Sequence, residues 1–361
     1  MSKILASPAS PMPINTKLMN LIVRHGVFTE RYKSSLVKKI VGMFNSTIIP
    51  DIERKLLKHL DNNTITEAMV KRLNVDMKDL NKAYSILHDS FAGKLSGFAA
   101  SDANWFAEVL KNIVPVDMDL HAPAPAVLKN LVNETYVRGK LVKDWFAGLA
   151  EETRDKIIQQ VNIGMVEGEG VADIVRRIKG TRAAHYSDGI LNASRRNIEA
   201  VVRTSVSGIN NGVMKNVYQA NTDVVKSVQI VATLDDRTCP VCMALDGKVY
   251  DVEAVKMPPY HWGCRCCTVP VLKSWKELGI DLKEAPAGTR ASMDGQVPAP
   301  MKYGKWLKLQ DEDTQDEILG KGKADLFRRG HVPMERFIDA RNRPLTLSQL
   351  EKLEKKLKHA G

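Results

Sequence analysis

The sequence predicts a mainly α protein with a small α+β cysteine-rich module, arranged as a helical N-terminal body, a β-hairpin module carrying the cysteines, and a helical C-terminal tail. Three observations lead there. Apolar residues recur at three- and four-residue steps along most of the chain. Aromatic residues make up only 6% of the composition while Leu, Val, Ile and Ala are plentiful, a balance that favours helices over a sandwich. All five cysteines fall between positions 239 and 267, a clustering that reads as one local site rather than a disulfide scaffold.

Taken in order, the first 24 residues are Pro- and Ser-rich and read as a flexible arm. Residues 25–120 read as a helical region. Within it Val41, Phe44, Ile48, Ile52, Leu56 and Leu60 mark one stripe, and Pro50 interrupts it, so two helices should meet there. Thr64 and Glu67 have the spacing of a capping box, and a longer helix is expected over 76–113. The proline-bearing stretch after it reads as a connector. Residues 121–280 form the expected core region, with short helices at 124–138, 141–149 and 152–166, a break at 168–170, and a restart at 171–178. The clearest helix covers about 192–220, where Ile198, Val202, Val206, Ile209, Val213 and Val217 share a face. The pattern then changes. Residues 227–234 are β-branched and read as a strand, Asp246-Gly247 as a two-residue hairpin turn, and 249–252 as the return strand. Residues 281–302 read as a linker and 303–361 as a helical tail.

The formal charge is +11, which favours polyanionic partners without choosing among them. No run of about 18 apolar residues exists to span a membrane, and the start lacks an apolar signal core.

The chemistry concentrates at the cysteines, in a module expected over 227–272. Cys239 and Cys242 form a Cys-x-x-Cys knuckle, and His261 and Cys264 follow after eighteen intervening residues as His-x-x-Cys. Two such pairs joined by a hairpin suit a tetrahedral zinc site with ligands at about 2.0–2.3 Å. Cys264 and Cys266 alternate in what reads as an extended segment and should point opposite ways, so the expected set is Cys239, Cys242, His261 and either Cys264 or Cys266. Cys267 reads as a buried neighbour. Free structural thiols or a Cys239–Cys242 disulfide are the plain alternatives. A redox motif is disfavoured because such motifs sit at a helix N-terminus after a strand, whereas proline and a hairpin follow here. A thiolate-rich sphere is structural rather than catalytic, so the expectation is a structural zinc and no enzyme. Glu167 and Glu169 are an acidic pair of a kind common in loops.

Between 176 and 215 eight cations face two carboxylates. Arg176, Arg177, Lys179, Arg182, Arg195 and Arg196 are the candidates for contact with a nucleic-acid backbone or a protein partner, with Arg195 and Arg196 facing solvent. Tyr218 is the isolated aromatic of the long helix, which argues against base-specific reading.

At these residues the chain resembles the phage Mu F-like minor head protein family, also called phage head morphogenesis proteins. The matching features are Arg203-Thr204 with Asn210-Asn211, then Asp235-Asp236-Arg237-Thr238-Cys239, Leu245-Asp246-Gly247, Pro258-Pro259 before His261, and Cys264-Arg265-Cys266. Trp306-Leu307, Gln315, Ile318-Leu319-Gly320, Leu326, Gly330, Phe337 and Thr346-Leu347 also look like family tails. The resemblance implies a low-copy virion protein made in the host cytoplasm. It would associate with the portal or capsid interior during assembly, and the basic stretch adds contact with the backbone of double-stranded DNA without sequence specificity. Arg203, Thr204, Asp246 and Gly247 would be structural motif residues, with Arg203 contacting the cysteine module. The alternative is a zinc-stapled nucleic-acid-binding protein outside any virion.

Overall fold

The computed structural model describes residues 14–60, 64–113, 120–281 and 288–360. Helix α1 (Ile14–Met43) passes through a π-helical turn at Phe44–Ile48 into α2 (Ile49–His59), with Pro50 in the first turn of α2. The interruption expected at Pro50 therefore takes the form of a π turn just before it, which lets a continuous helix accommodate a residue with no N–H to donate. Of the arm expected over 1–24, residues 1–13 lie outside the described residues, while 14–24 belong to α1. Helix α3 (Glu67–Asp76) is capped by Thr66, whose hydroxyl accepts from Met69 N, two residues later than the expected cap at Thr64. Helix α4 (Leu80–Ile113) runs 34 residues.

The next segment departs from expectation. Helix α5 (Pro125–Glu134) stops before a hairpin of β1 (Tyr136–Val137) and β2 (Lys140–Leu141), and α6 (Val142–Glu167) is one continuous helix where two short ones were expected. Arg138 and Gly139 both have positive φ at the hairpin tip, the backbone that a two-residue hairpin loop demands. Helix α7 (Val171–Lys179) follows, and α8 (Leu191–Ala220) closes the helical body.

Helix α8 is the axis of the molecule. It packs against α1, α4, α5 and α6 and also touches the sheet. One continuous apolar core extends from Leu18 to Ala299, so the expected boundary near 120 does not separate two cores. Gly212 lets α5 close on α8: a Cβ there would meet Leu131 Cδ1 at 2.8 Å. Several buried polar groups on the inner helices are paired, although Ser205 Oγ and Asn211 Oδ1 of α8 have no partner among the described residues. Tyr84 Oη, Thr153 Oγ1 and Ser194 Oγ form a chain at 2.8 and 2.9 Å that links α4, α6 and α8. Asp102 of α4 accepts from Asn210 at 2.5 Å and meets His25 Nε2 of α1 at 2.5 Å. Unpaired, each such group would cost roughly 1–3 kcal/mol.

Strand β3 (Val225–Val231) lies between β4 (Val249–Tyr250) and β5 (Cys267–Leu272), antiparallel to both. A short helix, α9 (Pro240–Leu245), sits between β3 and β4. Asp246-Gly247 is thus the turn from α9 into β4, not a two-residue hairpin. The apolar run before it buries Met243, Ala244 and Leu245 as a helical turn, an ambiguity that short apolar runs always carry. The expected linker holds a second hairpin, β6 (Thr289–Ser292) with β7 (Gly295–Pro298), and residues 282–287 lie outside the described residues. The tail contains α10 (Tyr303–Leu307), α11 (Glu312–Leu319), α12 (Lys321–Arg329) and α13 (Leu347–Ala360). It packs around Trp306, Phe327 and Phe337 in a separate core that also takes in Leu234 and Met243.

Candidate metal centre

Cys239 caps the N-terminus of α9, with Pro240 at the first helical position, and Cys242 lies one turn on. The knuckle therefore does occupy a helix N-terminus after a strand, which removes the geometric argument raised against a redox pair. The surroundings argue differently. His261 Nε2 lies 3.3 Å from Cys242 Sγ, and Cys264 Sγ lies 3.8 Å from it. Two triads, Cys239–Cys242–His261 and Cys242–Cys264–Cys266, each hold their donor atoms within 4.8 Å, and Cys242 belongs to both. None of the five cysteines is disulfide-bonded.

Cys264 and Cys266 do not point opposite ways. Both are buried against Cys242. The reason is local backbone: residues 261–266 form an irregular turn with Gly263 at φ +68°, and regular strand begins only at Cys267. The period-two rule holds for strands and does not extend to such a turn. Cys267, half-buried at the start of β5, lies outside both triads, and burial pushes its thiol up to about 11.

Protons are shared unequally within the cluster. Contacts from Cys242 and His261 hold Cys239 down to about 4, and the cluster also pulls Cys264 far below an ordinary thiol. Hydrogen bonds to Cys239 and Cys264 push His261 up to about 10, while Cys242 is pushed up by its sulfur neighbours. Crowded thiols settling into alternating thiolate and thiol is what a divalent cation would relieve. His261 Nδ1 donates to Trp262 O at 2.8 Å, which leaves Nε2 facing the sulfurs, the orientation a metal-ligating imidazole needs. The donor set, thiolates with one imidazole, fits zinc.

A second layer fixes the donors. Arg265, between Cys264 and Cys266, makes two hydrogen bonds to Asp235 at 2.6 and 2.8 Å. Burial, the largest single influence, would raise the Asp235 carboxyl, but the Arg265 guanidinium together with hydrogen bonds from Thr238 and Arg237 N holds it below the usual range. From α8, Thr204 Oγ1 accepts from Gly263 N at 3.1 Å, and Ser207 Oγ donates to Cys264 O at 3.0 Å. Arg203, expected to reach the cysteine module, instead pairs with Glu199 at 2.7 Å and lies 3.4 Å from Ser34 Oγ. Thr204, the next residue along, makes the contact expected of Arg203. Asp246 accepts from Ala232 N at 2.8 Å and Tyr303 N at 2.7 Å, and it pairs with Arg290, only 2% exposed, at 3.2 Å. Gly247, at φ +76°, turns the chain beside Lys302.

The basic stretch is largely paired within the molecule. Arg176 meets Asp173, Arg177 meets both Glu167 and Glu169, and Lys179 meets Glu53. Arg195, expected to face solvent, is half-buried, donating to Asn45 at 2.7 Å and to Tyr186 O at 3.0 Å. Arg182 and Arg196 are exposed and form no ion pair among the described residues.

Residues 155–269 match the family model of phage Mu protein F like proteins. The F-like segment thus runs from within α6 through α8 and the whole donor cluster into β5, and it contains every motif from Arg203 to Cys266. The tail features from Trp306 onward lie beyond it. No curated protein and no solved structure matches the chain. No described helix is long and apolar enough to cross a membrane.

Proposed function

We propose that this chain is a head morphogenesis protein of a tailed phage, made in the host cytoplasm and built into the virion, whose donor cluster holds one structural zinc ion. The observation that carries the reading is the pair of donor triads, Cys239–Cys242–His261 and Cys242–Cys264–Cys266, that share Cys242 inside the segment matched by the phage Mu F-like family. Cys239, Cys242 and His261 with Cys264 would be the ligands, and Cys266 is the replacement donor at the same sulfur cluster. When bound, the ion supplies cross-linking: it joins α9 to the turn before β5. The thiolate-rich sphere supports a structural and not a hydrolytic role. The partners in this reading are portal or capsid proteins, with Arg182 and Arg196 available to phosphates of packaged DNA.

Two measurements test it. Mass spectrometry of purified heads should detect the chain. Metal analysis of the purified protein should find zinc, reduced in both Cys242→Ser and His261→Ala. Absence from heads, together with DNA binding that falls steeply with salt, would replace the reading by a nucleic-acid-binding one. Unchanged zinc in both variants would exclude the ligand set.

A further inference from the structure

A cavity of about 510 Å³ lies between the β1–β2 hairpin, α6 and α8, reached by Trp262, the residue after His261. Two indoles form its aromatic wall. Trp145 and Trp262 meet edge to face with centroids 5.0 Å apart at 76°. Trp145 Nε1 donates to Val137 O at 2.7 Å, so its polar edge is engaged and the ring is fixed. Trp262 is 38% exposed, and its carbonyl is held by His261. Leu149 and Val201 contribute apolar surface.

Charge decides what such a pocket accepts. Glu152 lines it, but its carboxylate already takes Lys156 at 2.6 Å and the Asn197 amide at 3.3 Å. Lys140 stands 5.0 Å from the Trp145 ring centroid and forms no ion pair among the described residues. Arg196, exposed and similarly without an ion pair, lies one helical turn before Ala200 of the lining, on the same face of α8. A cationic side chain would be repelled by the lysine already over the indole. A purely apolar segment would leave both cations unused. A flat ring bearing an anionic group uses every element present.

We propose that this pocket takes an unstacked base of a single-stranded nucleic acid, stacked on the indole wall with its flanking phosphates against Lys140 and Arg196. Stacking on an aromatic side chain is tolerant of base identity, and a cavity of this size admits one nucleoside. A duplex keeps its bases inside and cannot enter. The inference stands apart from the head assignment, because it is tested on the isolated protein and head incorporation is scored separately.

The test is tryptophan fluorescence of the full, zinc-loaded chain titrated with an oligothymidylate of about eight nucleotides, within the usual site size for one binding module. Saturable quenching is expected, with Kd raised at least about ten-fold in Trp262→Ala, in line with the loss of one stacked base. Lys140→Glu should weaken binding and lower the salt slope by about one contact. Trp262 follows a ligand residue, so zinc content is checked in that variant. If zinc is lost, Lys140→Glu, at a residue outside the donor cluster, carries the test. Equal affinity for a duplex of the same length would overturn the proposal, as would affinity indifferent to both substitutions or no quenching at all.

Discussion

The helical body and the segment around the cysteines solve the folding problem differently. In the body, long helices bury a continuous apolar core in which Ile40, Phe44, Phe91, Leu95, Ile157 and Val161 are almost entirely excluded from water. Each such side chain contributes roughly 1.5–3 kcal/mol by burial, and no single one is indispensable. Around the cysteines the apolar clusters are small: Ile230, Ala244, Leu245 and Ile338 in one, Ala232 with three cysteines in the other. Order there comes from a few directional contacts, namely the sulfur–imidazole cluster, the Asp235–Arg265 pair and the Asp246–Arg290 pair. A region held by area should tolerate single changes that a region held by points does not.

With the proposed zinc bound, the largest expected effect is its loss. Chelation, or Cys242→Ser, should open residues 232–266 to proteolysis while the helical circular dichroism of the body persists. Structural zinc contributes folding free energy of order 10 kcal/mol in small modules. Simultaneous loss of the body would dissolve the contrast. Next comes Asp246→Ala, which leaves Arg290 buried without its carboxylate and strips the acceptor from Ala232 N and Tyr303 N. Breaking a buried pair this way costs about 3–5 kcal/mol, and urea melts followed through Trp306 should show the tail releasing first. In the body, Ile157→Val should cost only about 0.5–1.5 kcal/mol, read as a shift in urea midpoint with unchanged slope. A cost comparable to Asp246→Ala would contradict the contrast.

The smallest effect is electrostatic. Hydrogen bonds from His59 and Lys58 hold Asp76 down to about 2. Its folded value lies below the unfolded one of about 3.9, so this contribution is present above pH 4 and fades as pH falls towards 2. Asp76→Asn should therefore lower stability at neutral pH, with the difference from the parent shrinking as pH falls towards 2, so that the acid limb of its stability curve is flatter. Urea midpoints between pH 5 and 2.5 provide the measurement.

How much of this was legible follows the same divide. Helix α8 is readable because its apolar face repeats over 30 residues, and β3 because β-branched residues crowd it. The meeting of Cys239, Cys242, His261 and Cys264 follows from ligand spacing. Contacts that depend on one residue meeting another far away were not readable. Nothing in the sequence near Arg290 announces Asp246, and nothing near Asp235 announces Arg265. The tight hairpin also fell where none was expected, at the end of the helix read over 124–138. Arg138-Gly139 makes the tight hairpin, while Asp246-Gly247 does not, because the Asp246 carboxylate is committed to the tail and the residues before it coil into α9. Trp145 and Trp262, more than a hundred positions apart, met only through the packing of α6 against α8 and the ligand turn.

Helix α8 grips the ligand turn by the main chain: Ser207 donates to the carbonyl of Cys264, and Asn211 lies 3.5 Å from that of Cys266. The scaffold therefore holds the main chain of the turn without touching the donor atoms it carries. Cys264→His or Cys266→Asp should keep the loop seated while changing the preferred ion, so cobalt absorption spectra could be tuned without redesigning the fold. Natural relatives would be free to exchange donors here by the same route.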